Sequence, residues 1–134
     1  MATLRSETLP VRSERDIVYV RQTVRRWAEE LRFGLVDQTK IVTAASEIAR
    51  NTVVYGGGGE LRLEAINDDV RKGLRLTFED KGPGIADVDL ALRDGFTTGA
   101  GLGLGLGGAK RLCNEFNVDS RPGNGTRVML LRWK

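Results

Sequence analysis

Apolar residues recur at helical spacing through two consecutive segments of the chain. From about Ser13, apolar positions three or four residues apart predict an amphipathic helix that Gly34 can end. A second stripe follows Asp37, a favourable N-cap, and the glycines from Gly56 predict its end. The two stripes comprise Ile17, Val20, Val24, Trp27 and Leu31, and then Ile41, Ala44, Ala45, Ile48 and Thr52.

Elsewhere apolar and polar residues alternate, which is typical of half-buried strands. A short segment around Leu9 and Val11 predicts an edge strand, because Pro10 restricts it to that role. Two hairpins are predicted further on, with strands around 61–65, 74–78, 116–120 and 126–133. A third helix is expected to end near Glu115, before the second hairpin. These elements predict an α+β fold in which about three helices cover one face of a mixed, mostly antiparallel sheet.

Composition narrows the class of protein. The 134 residues, 40% hydrophobic and 29% charged, predict one globular domain over residues 1–134. No run approaches the ~20 apolar residues of a spanning helix, and the N-terminus lacks the apolar core of a signal peptide. We therefore expect a cytoplasmic protein that does not bind membranes. Cys113 is the single cysteine, and we expect it to be buried in the third helix.

The charge distribution and the absence of histidine argue against nucleic-acid binding and histidine-dependent chemistry. The net charge is +3, but 21 basic residues are interspersed with 18 acidic ones, so nucleic-acid binding is not expected. The chain has no histidine, which removes histidine bases, histidine metal ligands and a phosphohistidine of its own. Any general base must then be a carboxylate, a lysine or a tyrosine.

Three clusters of residues carry candidate chemistry. Glu47 and Asn51 lie four residues apart on the second helix, so both can face one cleft. Asp80 stands at a strand end, where its carboxylate can accept a hydrogen bond from an exocyclic amine, and Gly82 and Gly84 allow close backbone approach. The long segment from Asp80 to about Gly101 has no strong periodicity, which favours a lid.

The third cluster alternates glycine with leucine directly before a helix. Its residues are Gly101, Leu102, Gly103, Leu104 and Gly105, and Lys110 follows in the helix. Exposed backbone N–H groups at a helix N-terminus bind phosphate, so a triphosphate is the natural ligand. A dinucleotide fingerprint lacks its preceding strand here, and a Walker loop lacks its Gly-Lys-Ser/Thr.

In this order the three clusters resemble the nucleotide-binding boxes of the Bergerat-fold (GHKL) ATPase and kinase superfamily. Residues 47–51 resemble the N box, residues 80–84 the first glycine box, residues 101–106 the second, and 125–126 the terminal Gly-Thr. Within the superfamily, the segments SEIARN, EDKGPGI, DGFTT and GGAKRL are most similar to serine kinases of bacterial partner-switching systems.

The resemblance implies a set of roles. Asp80 reads the adenine amino group with help from Thr126, while Gly82 and Gly84 shape the base pocket. Asn51 completes a magnesium site, and residues 101–105 hold the phosphates, with Lys110 a further candidate. Glu47 accepts or orients the attacking hydroxyl proton. The expected cofactors are ATP and Mg²⁺, and the expected partners are STAS-domain substrates and a PP2C-type phosphatase.

Other classes share these boxes. A histidine-kinase catalytic domain needs a phosphoacceptor histidine, which could be supplied only in trans, although residues 101–106 follow the histidine-kinase spelling closely. A conformational ATPase of the gyrase or Hsp90 type needs additional domains. The main alternative is a nonenzymatic binding module, such as an anti-sigma factor, whose output is complex formation.

Overall fold

The sheet has five strands, and the structure, a computed structural model, describes residues 1–92 and 105–134. The strands are β1 (Ala2–Val11), β2 (Gly59–Asn67), β3 (Lys72–Asp80), β4 (Glu115–Ser120) and β5 (Thr126–Trp133). They lie in the order β1-β2-β3-β5-β4, and all four pairings are antiparallel. The edge position of β1 is confirmed, but the strand is longer than the pattern around Leu9 and Val11 predicts.

Two long helices and two short ones belong to the described residues: α1 (Glu14–Glu30), α2 (Leu35–Val54), α3 (Val88–Ala91) and α4 (Leu106–Arg111). The alternating apolar residues of β2 and β3 join the apolar stripes of α1 and α2 in one core. A small separate cluster of Ile66, Leu131 and Trp133 lies outside that core. The predicted α+β layer, a sheet with helices packed on one face, is therefore confirmed.

The junction between α1 and α2 differs from the prediction. Arg32, at a φ of 64°, ends α1 in the left-handed region, with Arg32 N–H donating to the Glu29 carbonyl and Phe33 N–H to that of Ala28. Gly34 is instead the N-cap of α2, and Asp37 lies within its first turn. The prediction that Asp37 caps the helix is wrong. Its carboxylate accepts a hydrogen bond from Arg132 on β5 at 2.5 Å.

The helix predicted before the second hairpin is present as α4, but its predicted end near Glu115 is wrong. α4 ends at Arg111, with Leu112 as its C-cap, and Glu115 already belongs to β4. Cys113 therefore follows α4, where it is half-buried, and burial raises the pKa of its thiol to about 11. Within the segment expected to form a lid, the described part contains the short helix α3. No helix of the described ranges is long and apolar enough to cross a membrane.

Candidate nucleotide-binding site

A cavity opens between α2, the end of β3, the start of β5 and the start of α4. It encloses about 420 Å³ of empty space together with its open mouth. Asn51, Asp80, Gly84 and Thr126, which come from three separate parts of the sequence, line it together. Its other lining residues are Ile48, Thr52, Tyr55, Gly56, Phe78, Ile85, Leu106 and Val128. A mainly apolar pocket with a few convergent polar groups suits a flat, partly polar ligand such as a nucleotide base.

Asp80 is the half-buried carboxylate of this cavity. Gly82 N–H donates to its Oδ1 at 2.9 Å, and the backbone N–H of Thr126 also donates to the carboxylate. Burial nevertheless raises the pKa of Asp80, because desolvation of the charged form outweighs these two hydrogen bonds. The carboxylate is thus fixed in direction and keeps acceptor capacity for a ligand donor.

Thr126 is held beside Asp80 by a residue that the sequence did not indicate. Ser120 Oγ accepts the Ile85 N–H at 2.8 Å and donates its proton to the Gly125 carbonyl at 3.0 Å. It also lies 2.8 Å from Thr126 Oγ1. Because Ser120 has only one proton, the Thr126 hydroxyl is the donor in that contact, and its lone pairs remain available as acceptors.

Asn51 presents an unpaired amide. Its Nδ2 atom is buried and has no hydrogen-bond partner among the described residues. Buried polar atoms are normally paired, so this amide fits a bound group, and its oxygen is of the kind that Mg²⁺ accepts. Within residues 1–92 and 105–134, no group of three Asp, Glu, His or Cys side chains could hold a metal. A magnesium ion at Asn51 would therefore take most of its ligands from nucleotide and water.

Glu47 lies one helical turn before Asn51 and, although predicted as a site residue, is not among the residues that line the cavity. Its Oε2 occupies the space that a Cβ on Gly105 would need, and Gly105 has a φ of 85° as the N-cap of α4. The α4 N-cap and Glu47 are consequently in close approach. Lys110 is exposed on α4 and is not among the lining residues. Gly101, Leu102, Gly103 and Leu104 lie outside the described residues.

Several lining residues were not expected from the sequence as site residues. Tyr55 follows Asn51 by four residues, so the same helical spacing that links Glu47 to Asn51 could have indicated it. Phe78, Ile85 and Leu106 belong to the core and the cavity at once, and nothing in an apolar pattern distinguishes the two roles. Gly82 reaches the site through its hydrogen bond to Asp80.

Comparison with known proteins places the chain in a family. Residues 36–134 match the family described as histidine kinase-, DNA gyrase B-, and HSP90-like ATPase. In solved structures, the fold is similar to the RsbU and RsbW domains of a Mycobacterium tuberculosis protein, with a TM-score of 0.64 and 22% identity over 100% of this chain and 33% of the other. The fold is also similar to the structure of the SiaB-SiaC complex from Pseudomonas aeruginosa. The TM-score is 0.53 and the sequence identity is 13%, over 98% of this chain and 91% of the other. The chain belongs to this ATPase family.

Relatives of known activity indicate the type of protein within this family. The serine/threonine-protein kinase RsbT of Bacillus subtilis (strain 168) is 47% identical over 123 residues, 92% of each chain. The anti-sigma F factor of Thermoanaerobacter sp. (strain X514) is 28% identical over 120 residues, 86% of this chain and 83% of the other. Within its family, the chain therefore belongs with the protein serine/threonine kinases of the RsbT type.

Proposed function

We propose that this kinase transfers the γ-phosphate of ATP, with Mg²⁺, to a serine or threonine of a STAS-domain protein in a bacterial partner-switching pathway. Release from the phosphorylated partner then frees the kinase to activate a PP2C-type phosphatase. The observation that carries the proposal is the single cavity in which Asn51, Asp80 and Thr126 converge. The 47% identity to a serine/threonine-protein kinase supports the reaction type.

The adenine base would enter the apolar cavity with its amino group toward Asp80. A carboxylate that already accepts two backbone N–H groups is preorganised, so accepting a third donor costs little reorganisation. The Thr126 hydroxyl, donating to Ser120, offers a second acceptor at the same place. Glycine at Gly84 lets the chain pass directly against the Arg121 carbonyl, which keeps this wall of the pocket thin.

The phosphates would extend from the base along α2 toward Asn51 and the start of α4. Mg²⁺ bound there with Asn51 would neutralise charge on the phosphates. Glu47 is placed one turn further from the base. Its carboxylate would accept the proton of the substrate hydroxyl while that oxygen forms its bond to the γ-phosphorus and the bond to the departing ADP breaks.

The test is phosphate transfer in vitro. The purified chain is incubated with labelled ATP, Mg²⁺ and each STAS-domain protein encoded in the same genome, with Asp80→Asn as the matched inactive variant. We expect label on one such protein, stable to acid as a serine or threonine ester. Label that is lost in acid and retained in base would indicate phosphohistidine in the partner and contradict the proposal.

A second candidate is favoured by the 28% identity to an anti-sigma F factor. In that case the chain acts by forming a nucleotide-dependent complex. Complex formation with ATP but no transfer to any STAS-domain protein would support this function over the kinase proposal.

A further inference from the structure

The turn from α2 to β2, residues 55–58, forms part of the cavity wall. Gly56 N–H donates to the Asn51 carbonyl at 3.1 Å, and Gly58 N–H donates to the Thr52 carbonyl at 2.9 Å. These bonds fix the turn to the last residues of the helix that carries Asn51. Tyr55 and Gly56 both line the cavity.

Gly56 lies in direct contact with the Asp80 side chain. A Cβ built on Gly56 would stand 2.7 Å from Asp80 Cβ, and it would lie closer still to Cγ and Oδ2. Real Cβ atoms do not approach other atoms so closely, hence any other residue at position 56 must push the carboxylate away. Gly56 has an ordinary negative φ, so close approach and not backbone conformation requires glycine here.

The backbone of Gly56 is also in close contact with Gly82. A Cβ on Gly82 would stand 2.7 Å from the Gly56 carbonyl oxygen and 2.8 Å from its Cα. Gly82 is also the residue whose N–H donates to Asp80 Oδ1. The backbones at positions 56 and 82 therefore pack on each other, and both touch the carboxylate.

We propose that Gly56 is a positioning residue that sets the specificity of the cavity for a purine with an amino group at position 6. Because it has no side chain, it leaves the Asp80 carboxylate in the direction that the Gly82 and Thr126 N–H groups give it, whereas a larger residue would push the carboxylate out of that direction. Asp80 accepts hydrogen bonds, and it therefore favours a 6-amino donor over a 6-oxo acceptor only while it is held in that direction. This inference rests on the proposed binding of ATP.

The test compares ATP with inosine triphosphate, which differs at position 6, by calorimetry on the full chain with Mg²⁺. In Gly56→Ala, ATP affinity should fall about tenfold or more, as for loss of one charge-assisted hydrogen bond. Affinity for inosine triphosphate should stay the same or rise. Because both ligands are measured on one sample, a loss of folded protein lowers both equally and leaves their ratio unchanged.

Gly57→Ala is the matched control, because a Cβ on Gly57 meets nothing within 4 Å. Its φ of 74° is strained for alanine, so this variant carries backbone strain without a contact to Asp80. It should preserve the ratio of the two affinities. In an Asp80→Asn background, Gly56→Ala should cause no further change in the ratio. An unchanged ratio in Gly56→Ala would overturn the inference while ATP binding by the parent chain stood, whereas failure of the parent to bind ATP would contradict the proposed function itself.

Discussion

Burial changes the chemistry of Asp80. Because its pKa is raised in the folded state, the protonated form favours folding, and ionisation opposes folding as the pH rises through that pKa. Asp80→Asn should therefore fold at least as stably as the parent near neutral pH, yet lose most specific adenine binding. Calorimetry with ATP and a thermal unfolding scan measure the two effects. Loss of folding in this variant would contradict the assignment of Asp80 to ligand binding.

The same shift predicts how ATP affinity depends on pH. In the proposed site the ionised Asp80 carboxylate accepts the amino group, so ATP affinity should decline as the pH falls through the pKa of Asp80, which burial raises from its ordinary value. Titration of ATP at several acidic pH values, compared with Asp80→Asn, measures this. A decline that persists unchanged in Asp80→Asn would assign the pH dependence to another group.

Substitutions of Glu47 and Asn51 should differ in their effects on ATP affinity and on the rate of phosphate transfer. Glu47→Ala should bind magnesium ATP as the parent does but transfer phosphate about 10²–10⁴ times more slowly, the loss expected if Glu47 is the general base that we propose. Asn51→Ala should lose the magnesium-dependent part of ATP affinity together with the rate. Binding assays with and without EDTA, beside single-turnover transfer, distinguish the two. A parental rate in Glu47→Ala would leave catalysis to positioning alone.

At the scale of elements, one ion pair connects the start of α2 to the end of β5. Arg132 donates to Asp37 at 2.5 Å and to the Leu112 carbonyl at 2.9 Å, and only 14% of its side chain is exposed. Asp37→Ala leaves this guanidinium desolvated without its counter-charge. We expect the free energy of unfolding to fall by about 1–3 kcal/mol in urea titration.

Glu14→Ala is the matched control for that prediction. Glu14 also lies in the first turn of a helix and also pairs with an arginine, Arg50, but 71% of its side chain is exposed. Its loss should cost about 0.5 kcal/mol or less. Equal effects of the two substitutions would show that helix-dipole terms, and not the desolvated pair, account for the loss at Asp37.

For the whole molecule, ligand binding and stability should be linked. α2 packs on α1, α4 and four strands, and the same helix lines the cavity. At an ATP concentration one hundred times its dissociation constant, folding should gain about 2.7 kcal/mol, which is roughly 10 °C in melting temperature. Differential scanning calorimetry with Mg²⁺ checks this, and Asp80→Asn should show little shift.

The fold and the site were unequally predictable from the sequence. The apolar periods of α1, α2 and the hairpins depend on local spacing, so the layers could be predicted, as could the clusters at Asn51 and Asp80. The N-cap of α2 could not be predicted, because Asp37 pairs with Arg132 on β5, which is 95 residues away in the sequence. The contact of Gly56 with Asp80 could not be predicted either. It depends on the β2–β3 register, which pairs Gly59, three residues after Gly56, with Asp80.

Helix α2 belongs both to the core and to the cavity wall, so a bound ATP would stabilise the fold as well as supply phosphate. Proteases degrade chains mainly through their opened states, and ligand binding reduces the population of those states. If ATP completes the packing of α2, a cell that exhausts its ATP loses the phosphate donor and also shortens the lifetime of the kinase. The amount of folded kinase would then fall with the ATP concentration of the cell, in addition to the fall in its activity.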